Sequence, residues 1–395
     1  MAKTNTPERR IQWETGMDAV YLMSCALHGT APELSQIGDM EALLDYCDQH
    51  SITAMVAMAL ETAWKELPPE DPEVMTPWKQ AKDKSIRKNI LLNAERTRIL
   101  AHLDSIGCWY LPLKGSFMQH DYPKFGMRQM SDNDILFDPA MAQQIHDFMV
   151  SSGYTVQEFG QDTHDEYLKA PVYNFEMHRQ LFSRQTNQKL ADYYENIRER
   201  LLKDADNRCG YHQKPEDFYV YLTAHAYKHF SKRGTGIRTL VDGYVFLDRH
   251  PELDWRYTEQ ELATLGLLEY ERQCRSLSEK LLGVPNREIL LTDEEGEFLS
   301  KFLGAGTYGS RKRLVENTLD EMGGSGNGSL MVKLRYFWNR MFPPLEFMAR
   351  TYPELLEKPW MLPFAHVRRL FRSVFRAPAR VFGEIKSLVQ YKKKQ

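Results

Sequence analysis
Cys108-Trp109-Tyr110-Leu111-Pro112-Leu113 interrupts a long run of helical periodicity, and it constrains the fold more than any other stretch of the chain. Before it, apolar residues recur at spacings of three and four, as over residues 40–47 and 52–60, the pattern of helices with one buried face. Pro68, Pro69, Asp71 and Pro72 break this region. A long helix is predicted next, over about 76–105, with Ile90, Leu91, Leu92, Ile99, Leu100 and Leu103 as its buried stripe. The 108–113 segment is short, aromatic and apolar, and reads as a strand. Ile135-Leu136-Phe137 is a second strand, and Asp138-Pro139 opens a helix running to about Ser152. Residues 154–159 and 172–177 alternate apolar and polar, as strands do. Helical texture returns from about 190, with loops near 203–215, 231–237 and 250–255. The expected fold is α+β: a small mixed-sheet core embedded between N-terminal and C-terminal helical regions. The expected divisions are 1–105 helical, 106–190 core, 191–322 helical, and 323–395 linker with basic amphipathic helices.

Composition narrows the setting. The longest apolar run, residues 54–60, spans seven residues, far short of a membrane span. The polar opening Met1-Ala2-Lys3-Thr4-Asn5-Thr6 carries no apolar signal core. Cys25, Cys47, Cys108, Cys209 and Cys274 are odd in number and scattered. They fit neither a disulfide framework nor a cysteine zinc site, and a reducing cytoplasm is expected. The net charge of −3 hides an asymmetry. Residues 366–395 hold nine Lys/Arg against one Glu, a net of +8, which leaves −11 on the rest. An acidic body argues against a nucleic-acid acceptor, because phosphate binding needs cations.

Three pieces in the core segment carry chemistry. Leu113-Lys114-Gly115-Ser116 joins a strand end to a helix start. Its Gly permits close backbone approach, its Ser offers a hydroxyl, and a helix N-terminus favours phosphate. In Ser131-Asp132-Asn133-Asp134, an extended strand projects Asp132 and Asp134 from one face. Two carboxylates so placed repel unless a cation lies between them, and an oxygen-rich site suits Mg²⁺. Phe175-Glu176-Met177 sets an acid between apolar neighbours, and such a charge needs a partner. Each piece alone is also what an ordinary turn or solvated strand end looks like.

Their order, Gly-Ser, fifteen intervening residues, Asp-x-Asp, then the Glu strand, resembles the nucleotidyltransferase superfamily, the fold of DNA polymerase beta. More closely, the chain resembles the uncharacterised nucleotidyltransferase family of bacteria. The matching residues are Leu113-Lys114-Gly115, Tyr122-Pro123, Gly126-Met127-Arg128, Asp132-Asn133-Asp134 and Glu176-Met177-His178. Further out, His225-Ala226-Tyr227-Lys228-His229, Arg238-Thr239-Leu240-Val241-Asp242 and Met341-Phe342-Pro343-Pro344 continue the likeness. The chain departs from the superfamily pattern in a longer spacer, with residues 122–130 as an insertion, and in the polar Asn133 where an apolar residue is frequent.

The resemblance implies a nucleotidyltransferase-type core and a Mg²⁺- or Mn²⁺-dependent enzyme. It would move a nucleoside monophosphate from an NTP to an acceptor hydroxyl, with loss of pyrophosphate. Asp132, Asp134 and Glu176 would be the catalytic metal ligands, with Glu176 also placed to draw the acceptor's proton. Lys114, Gly115, Ser116, Arg128 and His178 would bind the nucleotide, with the helix dipole behind Gly115 and Ser116; salt-bridging of Lys114 and Arg128 to the acidic cluster itself, and a hydrogen-bonded structural role for His178, are equally open readings. The acceptor, a small molecule, a saccharide or a protein, is not specified. The competing reading is a silent nucleotide-binding or scaffold protein of the same fold. Retaining three carboxylates in a cleft without a cation is costly, which favours the enzyme.

Other features have plainer explanations. His225 and His229 share a helix face, but the segment lacks the Glu of a metalloprotease helix. Arg238 and Asp242 have the spacing of an intrahelical surface pair. The run Gly323-Gly324-Ser325-Gly326-Asn327-Gly328-Ser329 is a flexible linker with no P-loop ending. The +8 tail has apolar residues at helical spacing, interrupted at Pro378. A basic amphipathic stretch of this kind suits an anionic membrane surface, and a protein at the inner membrane face is expected. Packing on the acidic body or self-association would use the same stripe.

Overall fold
Leu113, just past the end of the first strand, is fully buried, and the fold is best followed outward from it. The computed structural model describes residues 7–306 except 162 and 233, and, beyond them, 319, 329–345, 348, 352 and 354–376. The chain divides into two compact units, Met1–Tyr227 with Gly236–Thr307, and Lys228–Thr235 with Tyr308–Gln395.

The first unit starts with helices α1 (Pro7–His28), α2 (Met40–His50), α3 (Thr53–Glu66) and α4 (Met75–Ile106). Asp39 caps α2 by accepting from the Glu41 and Ala42 amides. The seven-residue apolar run of the sequence lies in α3, buried throughout. Helix α4 ends at Gly107, whose φ of +74° suits a residue without Cβ. Its buried face is Trp78, Ser85, Asn89, Leu92, Ile99 and Leu103. Ile90, expected in that stripe, is 53% exposed: it sits about 200° around the helix from Leu92. Polar Ser85 and Asn89 hold the face instead, and their partners lie beside the site.

Strand β1 (Tyr110–Pro112) leads through the single helical turn α5 (Gly115–Met118) to β2 (Asn133–Phe137). Helix α6 (Ala142–Ser151), preceded by a short 3₁₀ turn with Asp138 as its cap, returns the chain to β3 (Thr155–Glu158). Strands β4 (His164–Lys169) and β5 (Tyr173–His178) complete a five-stranded mixed sheet of order β1-β2-β5-β4-β3. Only the β2–β5 pair is parallel. Ile135, Phe137, Phe175, Met177 and Tyr167 face one core with Ile99, Leu103, Ile145 and Met149. Leu111, Leu113 and Leu136 join a second core with Val220, Tyr221 and Ala224. That second core is built by α7 (Gln188–Tyr193), α8 (Pro215–Lys232) and α10 (Trp255–Leu265), with Leu268 at the start of α11 (Leu268–Leu282) against it; α9 (Arg238–Arg249) packs on α11, and α12 (Asp293–Leu303) on α1. The fold is α+β with helical regions at both ends of the sheet segment, as expected. The sequence-based strands at 108–113, 135–137, 154–159 and 172–177 all fall on observed strands; β4 is additional.

In the second unit, α13 (Ser329–Met341), α14 (Glu354–Glu357) and α15 (Leu362–Arg376) are helical. Met348, Tyr352, Leu355 and Ala365 form a small buried cluster, and His366 bonds the Pro343 carbonyl at 2.9 Å. The predicted linker at 323–328 and the tail from residue 377, Pro378 included, lie outside the described residues. Among the described residues no helix is long and apolar enough to cross a membrane. All five cysteines are free.

Candidate active site
Alternation along β2 separates two roles. Asn133, Ile135 and Phe137 point to one face and Asp134 and Leu136 to the other. Asn133 is fully buried. Its Nδ2 donates to the Leu92 carbonyl at 3.3 Å and its Oδ1 accepts from Arg96 Nη1 at 2.8 Å. Helix α4 therefore fixes the start of β2, which accounts for a polar residue between the two aspartates. Parallel pairing places Asp134 opposite Glu176 and Leu136 opposite His178. Asp134, 4% exposed, accepts on Oδ1 from Lys114 Nζ and from His178 Nε2, both at 2.9 Å. His178 Nε2 is also 3.5 Å from Glu176 Oε2. Lys114, Asp134, Glu176 and His178 thus converge, and Asp132, half-buried, stands immediately ahead of the strand.

The electrostatics of the two aspartates diverge. Burial pushes Asp134 up, but the Lys114 ammonium and the His178 ring outweigh it and hold this carboxyl well below the usual range. Asp132 is pushed up to about 6, first by burial and then by the Asp134 charge. Burial would lower Lys114, yet Asp134, with Tyr221, Asp132 and Glu176 behind it, raises the ammonium above its ordinary value. Lys114 bears on all three acids, and Arg238 and Lys88 also bear on Asp132.

The loop that carries Lys114 is unusual in its backbone. The Leu113 amide donates to the Asp134 carbonyl at 2.9 Å, keeping β1 on β2 up to that point. Lys114 then takes φ +44°, a conformation that costs a non-glycine residue of order 1–3 kcal/mol. The helix expected to start here is the single turn α5, and its Ser116, Phe117 and Met118 amides already bond the Leu113 and Lys114 carbonyls. It offers no helix dipole of consequence, which corrects that part of the sequence reading. Ser116 is buried and its hydroxyl donates to the Leu113 carbonyl at 2.6 Å. Gly115 is required sterically: a Cβ there would lie 2.5 Å from Arg128 Nη1 and 2.8 Å from the Met130 side chain.

Arg128 is committed elsewhere than to solvent. Its Nε and Nη2 donate to Asp242 at 2.8 and 2.9 Å, and the Tyr122 hydroxyl donates to the same carboxylate at 2.6 Å. All three residues are buried. Burial pushes Asp242 up, but Arg128 dominates and lowers it. The expected surface pair of Arg238 with Asp242 is replaced by this buried one, while Arg238 Nη1 donates to the Gln129 carbonyl at 3.1 Å. The long spacer is thereby structural: Gln129 Oε1 accepts from the Ala54 amide at 2.9 Å, and Asn89 bonds the Arg128 carbonyl at 3.0 Å.

A family profile described as "Uncharacterised nucleotidyltransferase" matches residues 37–283. The chain belongs to that family. No curated protein and no solved structure matches it. In this nucleotidyltransferase-family chain, the matched span runs from just before α2 to the end of α11 and contains every residue of the cleft just described.

Sequence reasoning missed His164. Antiparallel pairing sets it opposite His178, and its Nε2 is 3.7 Å from Glu176 Oε2. His164, Glu176 and His178 each offer a ligand atom within 4.8 Å of the other two. The concealing feature is the composition of β4, whose inward positions are Asp165 and Tyr167. Asp165 is 2% exposed and holds Arg179 through Nη2 at 2.9 Å. A turn at residues 170–172 between strand-like stretches was the available signal, because it sets 164 across from 178. His225 and His229 lie along α8, with the His225 ring 6.2 Å from that of Tyr221.

Proposed function
We propose that the chain is a Mg²⁺-dependent nucleotidyltransferase that moves a nucleoside monophosphate from an NTP to an acceptor hydroxyl and releases pyrophosphate. The observation that carries this reading is the pair Asp134 and Glu176 side by side on parallel strands, with a third carboxyl, Asp132, forced up to about 6 beside them. Carboxylates in that state fit a hard divalent cation, and Asp132, Asp134 and Glu176 would hold it. Bound there, such an ion would neutralise triphosphate charge and stabilise the leaving pyrophosphate.

The chain's own residues supply the rest. Lys114 is a fixed ammonium beside Asp134 and would meet phosphate charge. Gly115 lets backbone approach the nucleotide closely, while the buried Ser116 hydroxyl, expected to meet phosphate, holds the turn by donating to the Leu113 carbonyl. His178 orients Asp134 and offers a contact to the nucleotide. Arg128, expected to neutralise phosphate directly, is assigned to bracing Gly115 from behind, because its fork is occupied by Asp242. Glu176, half-buried and next to Asp134, is the residue placed to draw the acceptor's proton. The basic stretch 366–395 is proposed to attach the enzyme to an anionic membrane surface, with Phe364 and Val367 exposed on α15 as supporting apolar contacts.

The test is thermal stabilisation by nucleoside triphosphates with Mg²⁺, together with pyrophosphate release in the presence of candidate acceptors. Asp132→Ala and Asp134→Ala are expected to abolish both responses. Stabilisation that survives in both variants would exclude this site.

A further inference from the structure
The geometry points to a second, nitrogen-containing metal subsite at His164, His178 and Glu176, which takes a divalent ion of the Zn²⁺ class rather than Mg²⁺. It rests on the nucleotidyltransferase reading only for what the ion would be used for, not for whether it binds.

Two imidazoles face one carboxylate across adjacent strands. The β4–β5 register puts His164 directly opposite His178, and their ring centroids are 5.0 Å apart. Glu176 Oε2 lies between them, 3.7 Å from His164 Nε2 and 3.5 Å from His178 Nε2. The 3.7 Å separation is too long for a hydrogen bond and the 3.5 Å one is at its limit. Both are the spacing of donors around a common centre, since ligands about 2 Å from one ion lie about 3–3.5 Å from each other. To ligate, His178 Nε2 would give up its 2.9 Å hydrogen bond to Asp134 Oδ1, and that oxygen would then be within reach as a fourth donor.

The surroundings limit what else the rings could do. His178 is 6% exposed, and its Nδ1 is buried without a hydrogen-bond partner. The ring's one polar outlet is Nε2, facing the acids. His164 is half-buried at the rim of the same face, so an ion has an entry route. Glu166 stands directly opposite Glu176 on the neighbouring strand. Like charges set opposite one another on a sheet are unfavourable unless a cation relieves them. Imidazole donors suit Zn²⁺, Co²⁺ and Ni²⁺, whereas Mg²⁺ requires oxygen ligands in octahedral array. Two nitrogens and one or two carboxylate oxygens therefore select against Mg²⁺ at this position, and Glu176 and Asp134 would be shared with the oxygen-ligand site that includes Asp132.

The experiment uses the full chain, stripped of metal, titrated with Co²⁺ as a spectroscopic probe. Wild type is expected to bind Co²⁺ with a visible ligand-field band and to prefer it over Mg²⁺. Loss of residues that merely support a metal ligand costs 10–100-fold in affinity, so His164→Ala should weaken Co²⁺ by at least about tenfold. His164→Cys keeps a donor in place and should add a thiolate-to-cobalt charge-transfer band, which a purely structural histidine could not give. Equal Co²⁺ affinity in wild type and His164→Ala, or no charge-transfer band from a folded His164→Cys protein, overturns the inference. Nucleotide-dependent stabilisation with Mg²⁺ is measured on the same samples. Co²⁺ binding that depends on His164 without any nucleotide response keeps this subsite and removes the proposed function. A nucleotide response with unchanged Co²⁺ affinity in His164→Ala does the reverse.

Discussion
Asp242→Asn removes one negative charge and almost no volume, and it should be among the most damaging single substitutions in this chain. The Asp242 carboxylate receives three hydrogen bonds, from Tyr122 at 2.6 Å and from Arg128 at 2.8 and 2.9 Å. Tyr122, Arg128 and Asp242 are 4%, 9% and 7% exposed, so water cannot take over. Asparagine presents one carbonyl and one NH₂ group, and the NH₂ must face a donor already there. The guanidinium is left as a buried charge without its counterion, a situation that costs about 3–5 kcal/mol when one partner of a buried pair is removed. Tyr122→Phe is the calibrating variant. It deletes one of the three bonds and leaves the ion pair, so its cost should be about 1 kcal/mol. Equilibrium urea unfolding followed by far-ultraviolet circular dichroism measures both. A second readout reports on the cleft. Arg128 Nη1 packs within 2.5 Å of where a Gly115 Cβ would be, so an unanchored Arg128 shifts the Lys114–Ser116 turn, and nucleotide-dependent stabilisation should fall together with global stability. The reasoning is refuted if Asp242→Asn loses less than about 1 kcal/mol, or if Tyr122→Phe costs as much as Asp242→Asn.

Further expectations follow from other parts of the structure. Asn133→Leu keeps the size of the buried side chain but leaves Arg96, itself pushed down to about 10 by burial, without its acceptor; melting temperatures should show a loss of about 1–3 kcal/mol, partly recovered by adding Arg96→Met. His50 is buried and pushed down to about 4 by desolvation, with its Nδ1 accepting from the Ile237 amide at 3.3 Å. Its unfolded value is about 6.5, so between those values the unfolded chain binds a proton that the folded chain refuses, and stability falls as pH drops, by up to about 3 kcal/mol. Urea midpoints across that window should decline in wild type and flatten in His50→Gln; parallel slopes would show that His50 is not the group responsible. Anionic liposomes should float the full chain and not a protein ending at residue 365, while neutral liposomes should float neither; equal flotation of the two proteins removes the membrane role of the basic tail.

The sheet segment was legible because its exposed-face residues break the helical pattern in distinctive ways. Residues 108–113 and Ile135-Leu136-Phe137 are short apolar runs, Phe175-Glu176-Met177 alternates, and β1, β2 and β5 are found there. Strand β4 was not legible, because its two inward positions are Asp165, neutralised by Arg179, and Tyr167. A charge that is buried with a distant partner looks like a surface charge in a linear sequence. The same blindness hid Asp242, whose partner Arg128 lies 114 residues earlier, and gave it instead to Arg238, its neighbour by helical spacing. The acids of the cleft were identified from their order along the chain. The pairing of Lys114 with that acidic cluster was one of two readings open from the sequence, and the structure has it on Asp134; His164 was not legible, because it follows from a strand register that composition does not encode.

The bracing of Gly115 by Arg128 and Asp242 means that the cleft is not a portable module. Residues 106–190 include all the acids, yet Arg128 beside Gly115 is tied to Asp242 of α9 and to Asn89 of α4, and the start of β2 is tied to Arg96 of α4. A sheet segment excised at its own boundaries would carry the ligands without the struts. Grafting the cleft into another protein, or recombining it between relatives, would therefore have to move α4 and α9 with it, and drift in either helix would register as drift in the site.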